Sequence, residues 1–279
     1  MKCLVTGGAG FVGSHLVDKL IEDGHEVVII DNLSSGYMEN VNKSANLYVR
    51  DITHYQEIND LFTKDIDCTF HLAAIARTPQ TIDDPNLCCS VNILGTQHVL
   101  EASRQAGIKR VVLTSSNVVL AFETPYRVSK EALELLGDCY TKMYGMSVCC
   151  VRNSNVFGTR QSMEGPSPNV MAALRKCKQD KGFLEITGDG EQSRDFTHVS
   201  DIVSGHIAAM KSDYCGVVDL CTGRNVSLNV IASFYDCPIK YIDERPGDMK
   251  HIFQEPEPAF KHLGWRAICK LEDHIHEVL

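Results

Sequence analysis

Leu4-Val5-Thr6 running into Gly7-Gly8-Ala9-Gly10-Phe11-Val12-Gly13 is the stretch that decides the fold; a helix-like segment follows, and the next apolar run, residues 26–30, ends in Asp31. Gly8, Gly10 and Gly13 satisfy G-x-G-x-x-G, while Gly7, Gly10 and Gly13 satisfy the related G-x-x-G-x-x-G. Glycines in this order permit a tight turn, close approach of the backbone to a pyrophosphate, and close packing of helix on strand. The helix N-terminus then offers free N–H groups and positive dipole potential to the phosphates. Asp31, 18 positions after Gly13, stands where a carboxylate accepts the adenosine-ribose hydroxyls. The same charge repels a 2′-phosphate, so the pattern predicts NAD in preference to NADP.

Outward from that stretch, apolar runs at 2–6, 26–30, 47–50, 68–72, 110–114 and 147–152 alternate with helix-length segments at 11–23, 55–63, 85–106 and 126–144. Buried apolar strands separated by helices indicate βαβ units and an α/β fold with a doubly wound parallel sheet, the Rossmann type. After Gly158 the pattern loosens, punctuated by Gly165-Pro166-Ser167-Pro168, Gly188-Asp189-Gly190 and Arg245-Pro246-Gly247-Asp248. The expected division is a dinucleotide domain over 1–158 and a smaller, mainly substrate-binding lobe over 159–279, with some elements returning to the main sheet.

Composition narrows the function. Apolar residues make up 44% of the 279, charged residues 23%, and the formal net charge is −9. That argues against a general nucleic-acid or anionic-membrane surface. No apolar run approaches the roughly 20 residues that span a bilayer. The chain opens directly into a strand-like segment without a signal-peptide layout, and a cytoplasmic enzyme is expected. The twelve cysteines include two vicinal pairs but no C-x-x-C, so they read as small hydrophobes in a reducing compartment, not as zinc ligands or disulfides. His274-x-His276 reads as part of a solvated face, and no metal is expected.

Tyr126-Arg127-Val128-Ser129-Lys130 sets a phenol and an ammonium one helical turn apart. A neighbouring ammonium, together with a nicotinamide cation, would favour phenolate and make Tyr126 a usable base near neutrality. Upstream, the run 110–113 ends in Thr114-Ser115-Ser116, placing hydroxyls at the C-terminal edge of a parallel sheet, where such folds bind ligands. Any one of these features is common; the three in this order behind a dinucleotide turn point to an oxidoreductive site.

Several further segments carry a resemblance: Asp31-Asn32-Leu33-Ser34-Ser35-Gly36, Asp51-Ile52, His71-Leu72-Ala73-Ala74, Val91-Asn92-Ile93-Leu94-Gly95-Thr96, Asn155-Val156-Phe157-Gly158 and Arg194-Asp195-Phe196-Thr197-His198-Val199-Ser200-Asp201. With the glycine turn, the Ser116–Tyr126–Lys130 set and Arg245-Pro246-Gly247-Asp248, the sequence resembles the extended short-chain dehydrogenase/reductase family. Within it, the match is to the NAD-dependent nucleotide-sugar epimerase/dehydratase branch, over essentially the whole chain. The resemblance implies that Gly7, Gly10, Phe11, Val12 and Gly13 hold the pyrophosphate side of NAD. It assigns Asp31, Asn32, Ser35 and Gly36 to the adenosine ribose, and Asp51 and Ile52 to adenine. Leu72, Ala73, Ala74 and Asn92 would lie along the cofactor, and Lys130 would hold the nicotinamide ribose. Ser116 and Tyr126 would act on the sugar, and His71 would be structural. Asn155, Arg194, Arg245 and Asp248 would bind the nucleotide diphosphate and its ribose, since arginines suit diphosphate oxygens.

Family dehydratases follow the catalytic hydroxyl with an Asp-Glu pair, and decarboxylases carry Glu where Val118 stands. Asn117-Val118 supplies neither, which leaves C4 epimerisation of a UDP-sugar: glucose/galactose, or the N-acetyl or uronic-acid analogue. A nucleotide-sugar 4-ketoreductase or dehydratase is the alternative, and a catalytically silent NAD-binding protein is a third class. Only residues 120–124 and Pro125 separate Val119 from Tyr126, a shorter loop than relatives carry, which predicts an open sugar pocket. A homodimer is expected through the helices at 85–106 and 126–144, with Leu133, Leu136, Cys139, Tyr140 and Met143 as the candidate face.

Overall fold

A computed structural model describes residues 1–121, 124–162, 170–244 and 250–279. Seven strands form the main sheet. In chain order they are β1 (Lys2–Thr6), β2 (Glu26–Asp31), β3 (Asn46–Val49), β4 (Cys68–His71), β5 (Arg110–Ser116), β6 (Ser147–Asn153) and β10 (Gly216–Leu220). Their order across the sheet is β10-β6-β5-β4-β1-β2-β3, and every pairing is parallel. This is the doubly wound Rossmann arrangement that the alternating apolar runs predict. The chain builds outward in one direction from β1 to β3, then crosses back to β4 and builds the other way. The strand order therefore reverses between β1 and β4, and the crevice at their carboxyl ends is where such sheets bind ligands.

Both faces of the sheet are covered. On one, Val5, Leu16, Ile29, Phe70 and Val112 pack with Ile202 and Val203 from the helix Val199–Lys211. On the other, Leu4, Ile30, Ile52 and Val99 form one cluster, and Leu113, Leu133 and Tyr140 another.

The remaining strands are short: β7 (Asn155–Phe157), β8 (Leu184–Thr187), β9 (Ser193–His198), β11 (Asn225–Ser227) and β12 (Ile239–Ile242). They form a three-stranded sheet, β11-β9-β7, and a parallel pair, β12-β8. Their apolar sides enclose a core of their own around Tyr235, Phe157, Leu184 and Ile186. Ser154 alone separates β6 from β7, so the chain leaves the carboxyl edge of the main sheet and enters the small sheet within one residue. Because Ser116 pairs with Asn153, this passage puts Asn155 beside the end of β5.

All twelve cysteines are free. Cys3, Cys68, Cys88, Cys149, Cys150 and Cys221 are buried as expected, but Cys89, Cys139 and Cys215 are exposed. Among the described residues no helix is long and apolar enough to cross a membrane.

Candidate active site

Gly7 closes β1 with φ at 74°, a conformation that penalises any side chain. A Cβ on Gly7 would lie 2.6 Å from the backbone nitrogen of Ala73, and one on Gly13 would lie 2.1 Å from the Gly7 carbonyl oxygen. Neither backbone can move aside, so the turn exists only with glycine there. Gly8 differs: its Cβ would meet the Ile29 side chain in the core, so Gly7, Gly10 and Gly13 are the glycines facing the crevice. The helix Phe11–Glu22 follows, with Gly10 at its N-cap, no side-chain cap and no acidic residue in its first turn. Its free N–H groups and dipole are left for a phosphate. The cradle, the donors and the acidic strand end fit NAD.

Asp31 ends β2, buried, with one carboxylate oxygen accepting from the Ala9 amide (2.9 Å) and the other from the Leu33 amide (2.8 Å). Each oxygen keeps a lone pair for a ribose hydroxyl. Asn32 bridges onward, donating from its side chain to Asp51 at 2.9 Å, while Asp51 also takes the Thr53 amide and hydroxyl. These contacts hold the Asp51 carboxyl below its usual range against the opposing effect of burial.

One cavity of about 1020 Å³ runs from these residues past Leu72, Ala73 and Ala74 to Ser116, Tyr126 and Lys130, and on to Asn155 and Arg194. It includes every described candidate residue except Gly36 and Asn92. Gly36 packs beneath the glycine turn, where a Cβ would press on Ala9. Asn92 is buried behind the wall. Its amide bonds both the N–H and the C=O of Ile75 and donates to Ser129 Oγ (3.0 Å), so it fixes the wall rather than lining it. Arg245 and Asp248 lie outside the described residues.

At the far end Ser116 closes β5, its Oγ accepting from the Val118 amide at the start of a 3₁₀ turn. The helix Pro125–Tyr144 carries Tyr126 and Lys130, and it is started by Thr124, whose hydroxyl accepts from the Arg127 amide (3.1 Å). Lys130 Nζ donates to the Thr114 carbonyl oxygen at 2.8 Å and lies 6.0 Å from the Tyr126 ring centre. Burial pushes the Tyr126 phenol up to about 12, against the opposing effects of the Ser116 hydroxyl and of the Arg77 charge. Burial also lowers Lys130 to about 8. In the protein by itself, desolvation outweighs the pull of nearby cations.

Asn117, next to Ser116, donates its amide to Asn155 Oδ1 at 3.0 Å. Arg194 projects from β9 and donates to the Ser193 and Lys250 carbonyls. Sequence reasoning missed Arg77, which enters the cavity wall from the loop after β4. A lone arginine beyond an apolar strand has no periodicity to mark it.

His274 is not simply solvated. It stacks on His198, ring centres 4.4 Å apart, and both imidazoles bond Glu277, at 3.0 Å from His274 and 3.1 Å from His198. His198 Nδ1 accepts the Ser200 amide at the start of the helix Val199–Lys211, so Nε2 carries the proton donated to Glu277. That tautomer offers no lone pair to a cation, and the trio reads as a tether for the C-terminal segment.

The chain belongs to the NAD dependent epimerase/dehydratase family, matching it over residues 3–218, and NAD is its cofactor. It is 31% identical to the putative UDP-glucose 4-epimerase of Methanocaldococcus jannaschii, over 99% of this chain and 96% of that protein. It is 30% identical to the UDP-glucuronate 4-epimerase of Thermodesulfobacterium geofontis, over 97% and 92%. The solved UDP-glucose 4-epimerase of Thermotoga maritima, in complex with UDP-glucose, superposes with a TM-score of 0.92 at 31% identity, covering 100% of this chain and 97% of that one.

Proposed function

We propose that this protein is a nucleotide-sugar 4-epimerase that inverts C4 of a UDP-sugar by transient oxidation. The observation that carries the reading is the Ser116–Tyr126–Lys130 set at one end of the cavity with Asn117-Val118 beside it. Asn117 is committed to Asn155 through its amide, and Val118 has no proton to give. Elimination of water needs a proton donor and acceptor at the neighbouring carbons, and these two side chains offer none.

NAD, when bound, would supply the acceptor and donor for the C4 hydride and a positive charge close to the phenol. Tyr126 takes the C4 hydroxyl proton and later gives it back. Ser116 Oγ, at the end of β5 in the same cavity, orients that hydroxyl. Lys130, anchored on the Thr114 carbonyl, keeps two donors for the nicotinamide ribose. Gly7, Gly10 and Gly13 hold the pyrophosphate with Phe11 and Val12, and Asp31 with Asn32 and Ser35 holds the adenosine ribose. Asn155 and Arg194, with Arg245 and Asp248, take the nucleotide diphosphate. The cavity leaves the oxidised sugar room to turn over.

The test is incubation with UDP-glucose, UDP-N-acetylglucosamine and UDP-glucuronate, with products read by proton NMR. The expected result is C4 inversion without net consumption of NAD. Stoichiometric cofactor use would make it a reductase, and a 4-keto-6-deoxy product would make it a dehydratase. Tyr126→Phe should lower turnover by at least about 100-fold while NAD binding survives.

A further inference from the structure

The loop after β4 is held at three points. Ala73 lies against Gly7, Ile75 is clamped by Asn92 through both backbone groups, and the Arg77 carbonyl accepts the Thr81 amide at 3.1 Å. That fixes the backbone at Arg77, where the helix Thr78–Asp83 begins. The Arg77 side chain is half-buried in the cavity wall between Ala76 and Thr78. Among the described residues no carboxylate pairs with it and no acceptor bonds it; Asp83 lines the same cavity, exposed, without reaching it.

A guanidinium cannot shed its charge to relieve desolvation as a lysine can, so a half-buried one without an acid implies an anion from elsewhere. Its position says which anion. The helix that Arg77 begins packs against the helix that carries Tyr126, and Asn92 ties Ile75 to Ser129 Oγ of that helix (3.0 Å), so Arg77 stands at the Tyr126 end of the cavity. The phosphates belong to the turn at Gly7–Gly13, which the chain has left four residues earlier at Ala73. In a sugar whose C4 hydroxyl meets Tyr126, the substituent on C5 is the nearest place for a charge.

We propose that Arg77 forms an anion subsite beside Tyr126 and that the preferred substrate is a UDP-uronic acid, its C5 carboxylate paired with the guanidinium. This rests on the nucleotide-sugar reading above and adds the substrate class. A planar carboxylate can take two parallel N–H donors, a geometry that a neutral hydroxymethyl group cannot satisfy.

The experiment measures kcat/KM for UDP-glucuronate and UDP-glucose in the wild type, Arg77→Gln and Arg77→Lys, with NAD affinity measured by calorimetry in each. The wild type should prefer the acid. Arg77→Gln should reduce the acid-to-neutral ratio by about 30-fold or more, as for loss of a charged hydrogen bond, and Arg77→Lys should restore part of it. A ratio unchanged by Arg77→Gln overturns the subsite, as does weakened NAD binding with the ratio intact, which would make Arg77 a cofactor residue. Binding of the two sugars to Tyr126→Phe, with and without Arg77→Gln, separates this from the reaction itself. If no sugar is epimerised, the activity reading fails, yet an Arg77-dependent preference in binding upholds the subsite and its absence refutes it.

Discussion

His71 joins β1, β4 and the helix Gly95–Ala106 through one imidazole. Its Nδ1 meets the Thr6 hydroxyl at 2.7 Å and its Nε2 meets Thr96 Oγ1 at 2.9 Å, while Thr96 donates to the Asn92 carbonyl at 2.6 Å. The Thr96 proton is thus spent on Asn92, so Nε2 is the donor and Nδ1 accepts from Thr6. That tautomer is neutral, and burial lowers the imidazole to about 3; His206, also buried, is lowered to about 4. Both values lie below the unfolded one, near 6.5. Between these values the unfolded chain binds more protons than the folded one, so stability is full above about pH 6.5 and drains as pH falls. The expected slope is about 1.4 kcal/mol per pH unit for each histidine. The urea midpoint should be level from pH 6.5 to 7.5 and fall steeply towards pH 4.5; a level midpoint down to pH 4.5 would contradict the assignment. At this scale the sequence was legible wherever backbone geometry demands one residue type. Gly7 and Gly13 could be read because no side chain fits there. Arg77 could not, because its setting is made by Tyr126 and by a cavity wall assembled largely from residues distant in sequence.

Among the elements, the parallel strands were the most readable, since burial on both faces makes them near-continuous apolar runs. The strands β1, β2, β4, β5 and β6 begin at the residues expected, and their ends differ by no more than two positions. The helices needed more correction. Residues 85–106 form not one α-helix but Pro85–Cys88, a π segment Cys89–Leu94, and Gly95–Ala106. Two tertiary demands fall in this stretch: the Asn92 amide must serve Ile75, and Gly95 must pass so close to Ile52 that a Cβ would approach it to 2.6 Å. Neither demand shows in the periodicity. In the small sheets, β7 and β11 have three residues each, below the length at which alternation identifies a strand. The helix Pro125–Tyr144 began where expected within a residue, and its start positions the proposed catalytic pair. Thr124→Ala removes the cap on Arg127 and should cost about 1 kcal/mol of stability, read as a lower thermal midpoint. It should also reduce turnover more than NAD affinity, because Tyr126 lies in the first turn and the phosphate cradle lies on another helix.

For the whole molecule, the same helix poses the question of assembly. The face predicted for a partner divides in the structure. Leu133, Leu136 and Tyr140 pack into the core against Leu113 and Val148, as an amphipathic helix on a sheet does. Met143 and Cys139 remain outside, joined by Leu135 and Val128, with Leu135 66% and Met143 70% exposed. Positions 128, 135, 139 and 143 follow helical spacing, so these side chains form one stripe along the solvent side. Leu87 and Leu94, also exposed, extend apolar surface onto the neighbouring segments that pack against this helix. Scattered apolar residues are ordinary on a surface, but a continuous stripe on adjacent helices is what a two-fold interface requires, because each residue meets its own counterpart's neighbours across the axis. We therefore predict a homodimer built on this stripe. The double substitution Leu135→Glu with Met143→Glu would set like charges facing each other across the axis, and should yield a monomer by light scattering at micromolar concentration. Calorimetric NAD affinity should be retained, since neither side chain reaches the cavity. A wild type that is already monomeric, or a double variant that remains dimeric, would move the interface elsewhere or remove it.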